Sequence, residues 1–226
     1  MNMKVNKTYT VLLLHPDNHF SHVALETLKK IPNVTLFENS GIKDPDLVLS
    51  VCYPDRIIKG KREGAKLAAL NIHTGLLPRH RGSNPLNWAL IWGEKEIGVT
   101  LHYMTDTYDA GNVVLQKIVA IEDTDTVRDL QHKTKEILPT LIQEFFADPE
   151  GYLAKAWQQN QAHMTYAQKR RPEDSELNLH APARDIYNLW RACDPDEYPA
   201  FVMENGQKRI VEQVSRDGTI TYKQNP

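Results

Sequence analysis

Asp46–Tyr53, reading DLVLSVCY, is a nearly continuous apolar run. A strand with one wet face alternates apolar and polar residues, whereas a strand covered on both faces reads as unbroken apolar sequence, the mark of a central strand in a parallel sheet. Outward from it, Tyr9–Leu14 (YTVLLL) reads the same way. Phe20, Val23, Ala24, Leu28 and Ile31 then fall on one helical face after the turn His15-Pro16-Asp17-Asn18. Asn33–Phe37 (NVTLF) is a short second strand and Leu70–Thr74 (LNIHT) a further buried one. Strand and helix alternating through short connections predict an α/β fold with an open, mostly parallel, Rossmann-like sheet, whose ligands gather beyond the carboxyl ends of the strands. That rule puts His15–His19, Tyr53–Ile58 and the segment from His73 onward on one rim. The stretch between Phe37 and Asp46 is short, so one αβ unit of the sheet is expected to be reduced.

Further along, a short helix is expected from Pro85 to about Gly93, with Leu86, Leu90 and Ile91 as its buried stripe. Gly98–Met104 alternates as a strand and Asn112–Ile121 follows as its partner. Thr126 and Asp129 resemble a capping box. The helix it opens carries Val127, Leu130, Ile137, Leu138, Leu141, Ile142 and Phe145 on one face. Composition shifts at Asp148-Pro149-Glu150-Gly151, which divides the chain into a main domain over 1–150, a polar linker over 151–175 and a small α+β tail module over 176–226. In the tail, Ile186, Leu189 and Trp190 mark a helix after Pro182, and Asn205-Gly206 and Asp217-Gly218 mark hairpin turns.

The 226 residues suit one large domain with a small appendage. Lys plus Arg number 27 against 29 Asp plus Glu, a net charge of -2. That balance lacks the positive field that captures tRNA, DNA or anionic lipid, so no nucleic-acid or membrane partner is expected, while a small phosphorylated substrate remains compatible. Cys52 and Cys193 read as reduced, packed thiols. No apolar run approaches the length of a spanning helix, and Met1–Asn6 is polar without a signal-peptide core behind it, which points to the cytoplasm. His15, His19 and His22 match no metal-binding spacing, and no metal is expected. Lys169-Arg170-Arg171 reads as a solvated charge run, and Trp88, Trp92 and Trp190 as core or interface rings.

The segment richest in chemistry is Asn71–Pro85, NIHTGLLPRHRGSNP. Asn71 and His73 lie two apart at a strand end, so both side chains leave on one face of the sheet and aim an amide donor and an imidazole at one volume. The loop behind them is rich in glycine and proline, which suits an irregular backbone held close to a ligand. Thr105-Asp106-Thr107-Tyr108-Asp109-Ala110-Gly111 joins two strands, and Asp109 is placed to orient His73 and raise its pKa.

NIHTGLLPRHRGSNPLNWAL followed by GVTLHYMTDTYDAGNVVLQ resembles the folate-dependent formyltransferase family. The likeness runs from about Leu47 to Gln116 and more weakly over the whole chain, with Asn-x-His, the Leu-Leu-Pro loop, Arg-Gly-x-x-Pro and Asp-Ala-Gly in the family's order. It implies Asn71, His73 and Asp109 as the catalytic trio. It also implies 10-formyltetrahydrofolate as formyl donor, contacted by Gly75, Leu76, Leu77, Pro78, Thr105, Asp106, Thr107 and Tyr108, with Ile57 and Ile58 in the pterin pocket. Asn71 would stabilise the oxyanion and His73 move the proton, without a metal.

Acceptors in the family differ. Pro85-Leu86-Asn87-Trp88 and Gly98–His102 resemble the nucleotide-sugar N-formyltransferases most closely, which implies an amino sugar on a nucleotide as acceptor and is compatible with a homodimer. His15, Asn18, His19, Arg79, Arg81 and Trp88 are then the expected acceptor contacts. Methionyl-tRNA, glycinamide ribonucleotide, hydrolysis of the formyl folate and a non-enzymatic binding role are the alternatives.

Overall fold

A computed structural model describes residues 7–53 and 62–223. The strands are β1 (Tyr9–Leu14), β2 (Val34–Glu38), β3 (Leu47–Val51), β4 (Ala68–His73), β5 (Arg81–Gly82), β6 (Glu96–Tyr103), β7 (Val113–Ala120), β8 (Tyr166–Ala167), β9 (Phe201–Glu204), β10 (Gln207–Val214) and β11 (Ile220–Tyr222). The helices are α1 (His19–Leu28), α2 (Pro85–Ile91), α3 (Val127–Ala147), α4 (Pro149–Ala154) and α5 (Ala183–Arg191). Six strands make the main sheet in the order β2-β1-β3-β4-β6-β7. β2, β1, β3 and β4 run parallel, and β6 is antiparallel to β4. Tyr103 N donates to Asn112 O, and a Cβ on Gly98 would meet Lys117 O, so β7 returns antiparallel along β6. The expected mostly parallel sheet is therefore present, with an antiparallel pair at one edge.

All five residues of β3 are buried, as its unbroken apolar sequence requires of a strand covered on both faces. No helix separates β2 from β3, the reduced unit expected from the short connection. α1 starts at Asn18, whose extended backbone and side-chain Oδ1, accepting from Ser21 N at 2.8 Å, satisfy one of the helix's orphan donors. α3 opens with reciprocal bonds between Thr126 and Asp129 and runs through Pro139. No helix among the described residues is long and apolar enough to cross a membrane.

The chain forms two compact units, each discontinuous in sequence. The first comprises Met1–Arg81, Gly98–Ile118 and Thr134–Thr165. Its core packs Val11, Leu13, Leu49 and Leu70 of the sheet with Leu28 of α1 and Leu138, Leu141 and Phe145 of α3. The second comprises Gly82–Ile97, Val119–Lys133 and Tyr166–Pro226. There α5 packs through Ile186 on Val202, Val211 and Val214 of the three-stranded sheet β11-β10-β9, whose two hairpins turn at the expected Asn-Gly and Asp-Gly.

Two sequence expectations are corrected. Arg170 is not part of a solvated charge run: it is buried, and its guanidinium donates to Ala192 O, Asp174 O and Ser175 Oγ. Acceptors from two segments, the carbonyls of Ala192 and Asp174 and the Ser175 hydroxyl, make burial of that cation tolerable, and no periodicity along the chain announces them. Cys193 is buried as expected, whereas Cys52 is exposed just past the end of β3.

Candidate active site

The site grows from one register. In the antiparallel pairing of β4 with β6, Asn71 lies opposite His102 and His73 opposite Thr100. Opposed residues point to the same face, so Asn71, His73 and His102 share one side of the sheet. Asn71 Nδ2 lies 3.1 Å from His102 Nε2. His102 Nδ1 lies 2.9 Å from Tyr103 O, and a carbonyl only accepts, so Nδ1 carries a proton and Nε2 is the atom that takes the Asn71 amide. One of the two Asn71 N–H donors is thereby spent, and its direction fixes the other.

His73 is buried, and its Nε2–H donates to His80 O at 2.7 Å. That bond leaves Nδ1 as the basic atom, 3.8 Å from Asp109 Oδ2. The other carboxylate oxygen, Oδ1, lies 3.4 Å from His102 Nε2. Asp109 thus faces both imidazoles, and His80 O makes the hydrogen bond that holds the His73 ring. The pKa of His73 is lowered from the ordinary histidine value, contrary to the expectation from Asp109 alone. Burial is the leading cause and His102 adds to it, while Asp109 and the His80 carbonyl push upward without prevailing. The outcome is a neutral, buried base at neutral pH.

Asp109 sits in the left-handed region with φ 53°, a conformation that needs outside support. Gln159 supplies it. Its Nε2 donates to Asp109 O at 2.8 Å and Gly111 O at 2.7 Å, while its Oε1 accepts from Arg81 Nε and Nη2. Arg81 Nη1 donates to Gln161 Oε1, which ties the guanidinium down entirely within the protein. Gly111 also has to be glycine, since a Cβ there would lie 1.9 Å from Tyr103 O.

Gly75 wraps His73 so closely that a Cβ would lie 2.7 Å from His73 Nε2. Its loop is clamped from the sheet. Thr100 Oγ1 donates to Gly75 O, Leu77 N donates to Thr100 Oγ1, and Gln116 Nε2 donates to Leu77 O at 2.9 Å. Leu76 and Leu77 are buried, and the Leu77–Pro78 peptide is cis. In the second loop Thr105 Oγ1 donates to Thr107 O, Asp106 is bonded to the Arg62 guanidinium, and Tyr108 is exposed. Ile57 and Ile58 lie outside the described residues.

The residues expected to hold the acceptor divide between the two units. His15 is buried, with Nδ1 2.9 Å from Pro16 O and Nε2 3.4 Å from Glu38. Asn18 caps α1, His19 is exposed at its start, and Arg79 is half-buried. Trp88 belongs to the second unit, where its Nε1 donates to Gln168 O. Sequence reasoning missed two residues of the cluster. His102 carries no local signal of a role, and only the strand register reveals it opposite Asn71. Gln159 fell in the stretch read as a linker, and no sequence signal singled it out.

Residues 37–144 match the formyl transferase family. Among solved structures, Rv3404c of Mycobacterium tuberculosis, described as a candidate sugar N-formyltransferase, is 20% identical at a TM-score of 0.74, covering 97% of this chain and 100% of that one. A methionyl-tRNA formyltransferase from Clostridium thermocellum is 18% identical at 0.73, covering 95% and 97%. An N-formyltransferase from Helicobacter canadensis, solved with folinic acid and dTDP-3-aminofucose, is 21% identical at 0.69, covering 89% and 87%. These likenesses establish a common fold, and the matched region contains β4, β6 and the loop of Asp109. Residues 37–144, with their amide, imidazoles and carboxylate closed on one volume, form a formyl transferase domain, and the chain is a formyltransferase by class.

Proposed function

We propose that this protein transfers the formyl group of 10-formyltetrahydrofolate to the amine of a nucleotide-linked amino sugar. The observation that carries the chemistry is the pairing of a pre-aimed Asn71 N–H with a neutral His73 on one face of the sheet. The acceptor amine attacks the formyl carbon, a C–N bond forms, and the carbonyl oxygen takes the negative charge. Asn71 Nδ2 donates to that oxygen, a contribution of about 3 kcal/mol to the barrier in comparable sites. His73 Nδ1 accepts the proton the amine sheds, and Asp109 stabilises the resulting imidazolium across the 3.8 Å gap. Collapse of the intermediate breaks the bond from the formyl carbon to folate nitrogen, which leaves with the proton handed on from the His73 imidazolium and so returns the ring to its neutral form. The amine has to come within about 3 Å of both His73 and the formyl carbon.

The sugar reading of the acceptor rests on the likeness of Pro85–Trp88 and Gly98–His102 to sugar formyltransferases and on the net charge of -2. The Helicobacter structure, solved with a nucleotide amino sugar, is in keeping with it. Methionyl-tRNA is the second reading, because this chain covers 97% of the Clostridium enzyme's chain and tail length does not separate the two. Formyl transfer assayed across nucleotide-linked 3-amino and 4-amino sugars, with methionyl-tRNA and glycinamide ribonucleotide alongside, decides between them. Turnover with an amino sugar is expected. Efficient formylation of methionyl-tRNA with every sugar inert refutes the sugar reading and leaves formyl transfer standing.

A further inference from the structure

The second unit contains a small cleft, about 60 Å³, lined by Asp123, Arg184, Tyr187, Asn188, Arg191 and Arg216. Three guanidiniums meet one carboxylate there, and that carboxylate is already matched: Asp123 Oδ1 lies 3.0 Å from Lys95 Nζ and 3.8 Å from Arg184. Its pKa is lowered, first by Lys95 and further by Arg184 and Arg216.

Two of the lining side chains are buried with donors to spare. Arg191 Nε donates to Asn188 Oδ1, and Nη1 donates to Glu122 O and Asp125 O. Nη2 has no protein acceptor among the described residues, though Arg191 is 3% exposed. Asn188, 4% exposed, accepts through Oδ1 and leaves Nδ2 without an acceptor among those residues. Both atoms keep solvent contact, so each can be met by water or by a bound acceptor.

The cleft is also pre-formed. A Cβ on Gly218 would lie 3.0 Å from Ala183 Cβ, so the β10–β11 turn is seated on the start of α5, which brings Arg216 beside Arg184. The turn is fixed by Ser215 N donating to Thr219 O, and by Asp217 Oδ1 accepting from Ser215 Oγ and Thr219 N. Arg191 is held over the Tyr187 ring, whose hydroxyl donates to Asp123 O.

We propose that this cleft binds a single phosphoryl-type oxyanion, separately from the formyl-transfer site. Guanidinium and amide N–H groups suit such an anion. The volume is well below the ~300 Å³ at which pockets begin to enclose a drug-sized ligand, so the group recognised is one phosphate and not a base or sugar. The assignment does not depend on the acceptor or on the Asn71 cluster.

The test is calorimetric titration of the full chain with inorganic phosphate at low ionic strength, with a nucleoside monophosphate in parallel. One saturable site is expected. Arg184→Gln with Arg216→Gln should weaken it at least about tenfold, and Asp123→Asn should tighten it about threefold by removing the only lining carboxylate among the described residues. Loss of the site for both ligands in the double variant marks the phosphoryl group itself as what is bound. Saturable binding of the monophosphate alone, lost in the double variant, makes a phosphate ester the natural source. Absence of saturable binding of either ligand, or an affinity unchanged in a double variant with wild-type circular dichroism and Tm, overturns the proposal. Formyl-transfer kinetics of the double variant should match wild type, so failure here is separable from failure of the proposed reaction.

Discussion

Two segments follow carboxyl ends of parallel strands in the same sheet, and they differ in what their polar groups are doing. Beyond β1, Asn18 caps α1, His15 bonds to Pro16 O and faces Glu38, and His15 N donates to Asn39 Oδ1. Beyond β4, Asn71 has one N–H spent on His102 and one left over, and His73 keeps Nδ1 unprotonated while Nε2 is fixed. Position on the rim is common to both. A reactive centre additionally needs donors and acceptors that folding has oriented without consuming, because preorganised dipoles stabilise developing charge only if they are still available to it.

The sharpest way to break this contrast is Asn71→Ala, expected to lower kcat about 100-fold or more with folate KM within a few-fold. Wild-type turnover would remove the amide from the mechanism. Next in size is Asp109→Asn, with a loss of about 30-fold in kcat. Because Asp109 raises the His73 pKa against burial, its loss should also move the acidic limb of kcat/KM, already below the ordinary histidine value, to still lower pH. A limb that stays in place means that the group titrating is not His73.

Gln159→Ala should cost about tenfold in kcat by freeing the Asp109 backbone, and the same change made on top of Asp109→Asn should cost much less. Additive losses would reduce Gln159 to a general stabilising role. The smallest effect is expected on the other segment. Asn18→Ala should lower stability by about 1 kcal/mol, read as a fall in Tm, and leave kcat unchanged. His19, exposed and uncommitted to a cap, is proposed as an acceptor contact, and its replacement by Ala should raise the acceptor KM a few-fold at constant kcat. A kinetic defect in Asn18→Ala as large as that would erase the distinction between the two segments.

Much of the fold was readable because burial leaves a local trace. β3 is apolar throughout since both its faces are covered, and Asn-Gly and Asp-Gly stand where the two hairpins turn. Asn71 and His73 were readable as partners because a two-residue step along a strand fixes a shared face.

What the chain's own order could not supply was anything set by neighbours distant in sequence. Local periodicity and turn chemistry determined the sheet, its parallel core and the amide–imidazole pair, since each depends on residues a few positions apart. Only the tertiary structure decided that His102 meets Asn71 from the next strand, 31 residues on, and that Gln159 braces Asp109 from 50 residues on. It also decided that His73 is held by His80 O and titrates low, because desolvation and cross-strand register depend on which segments fold together, and no window of sequence contains that.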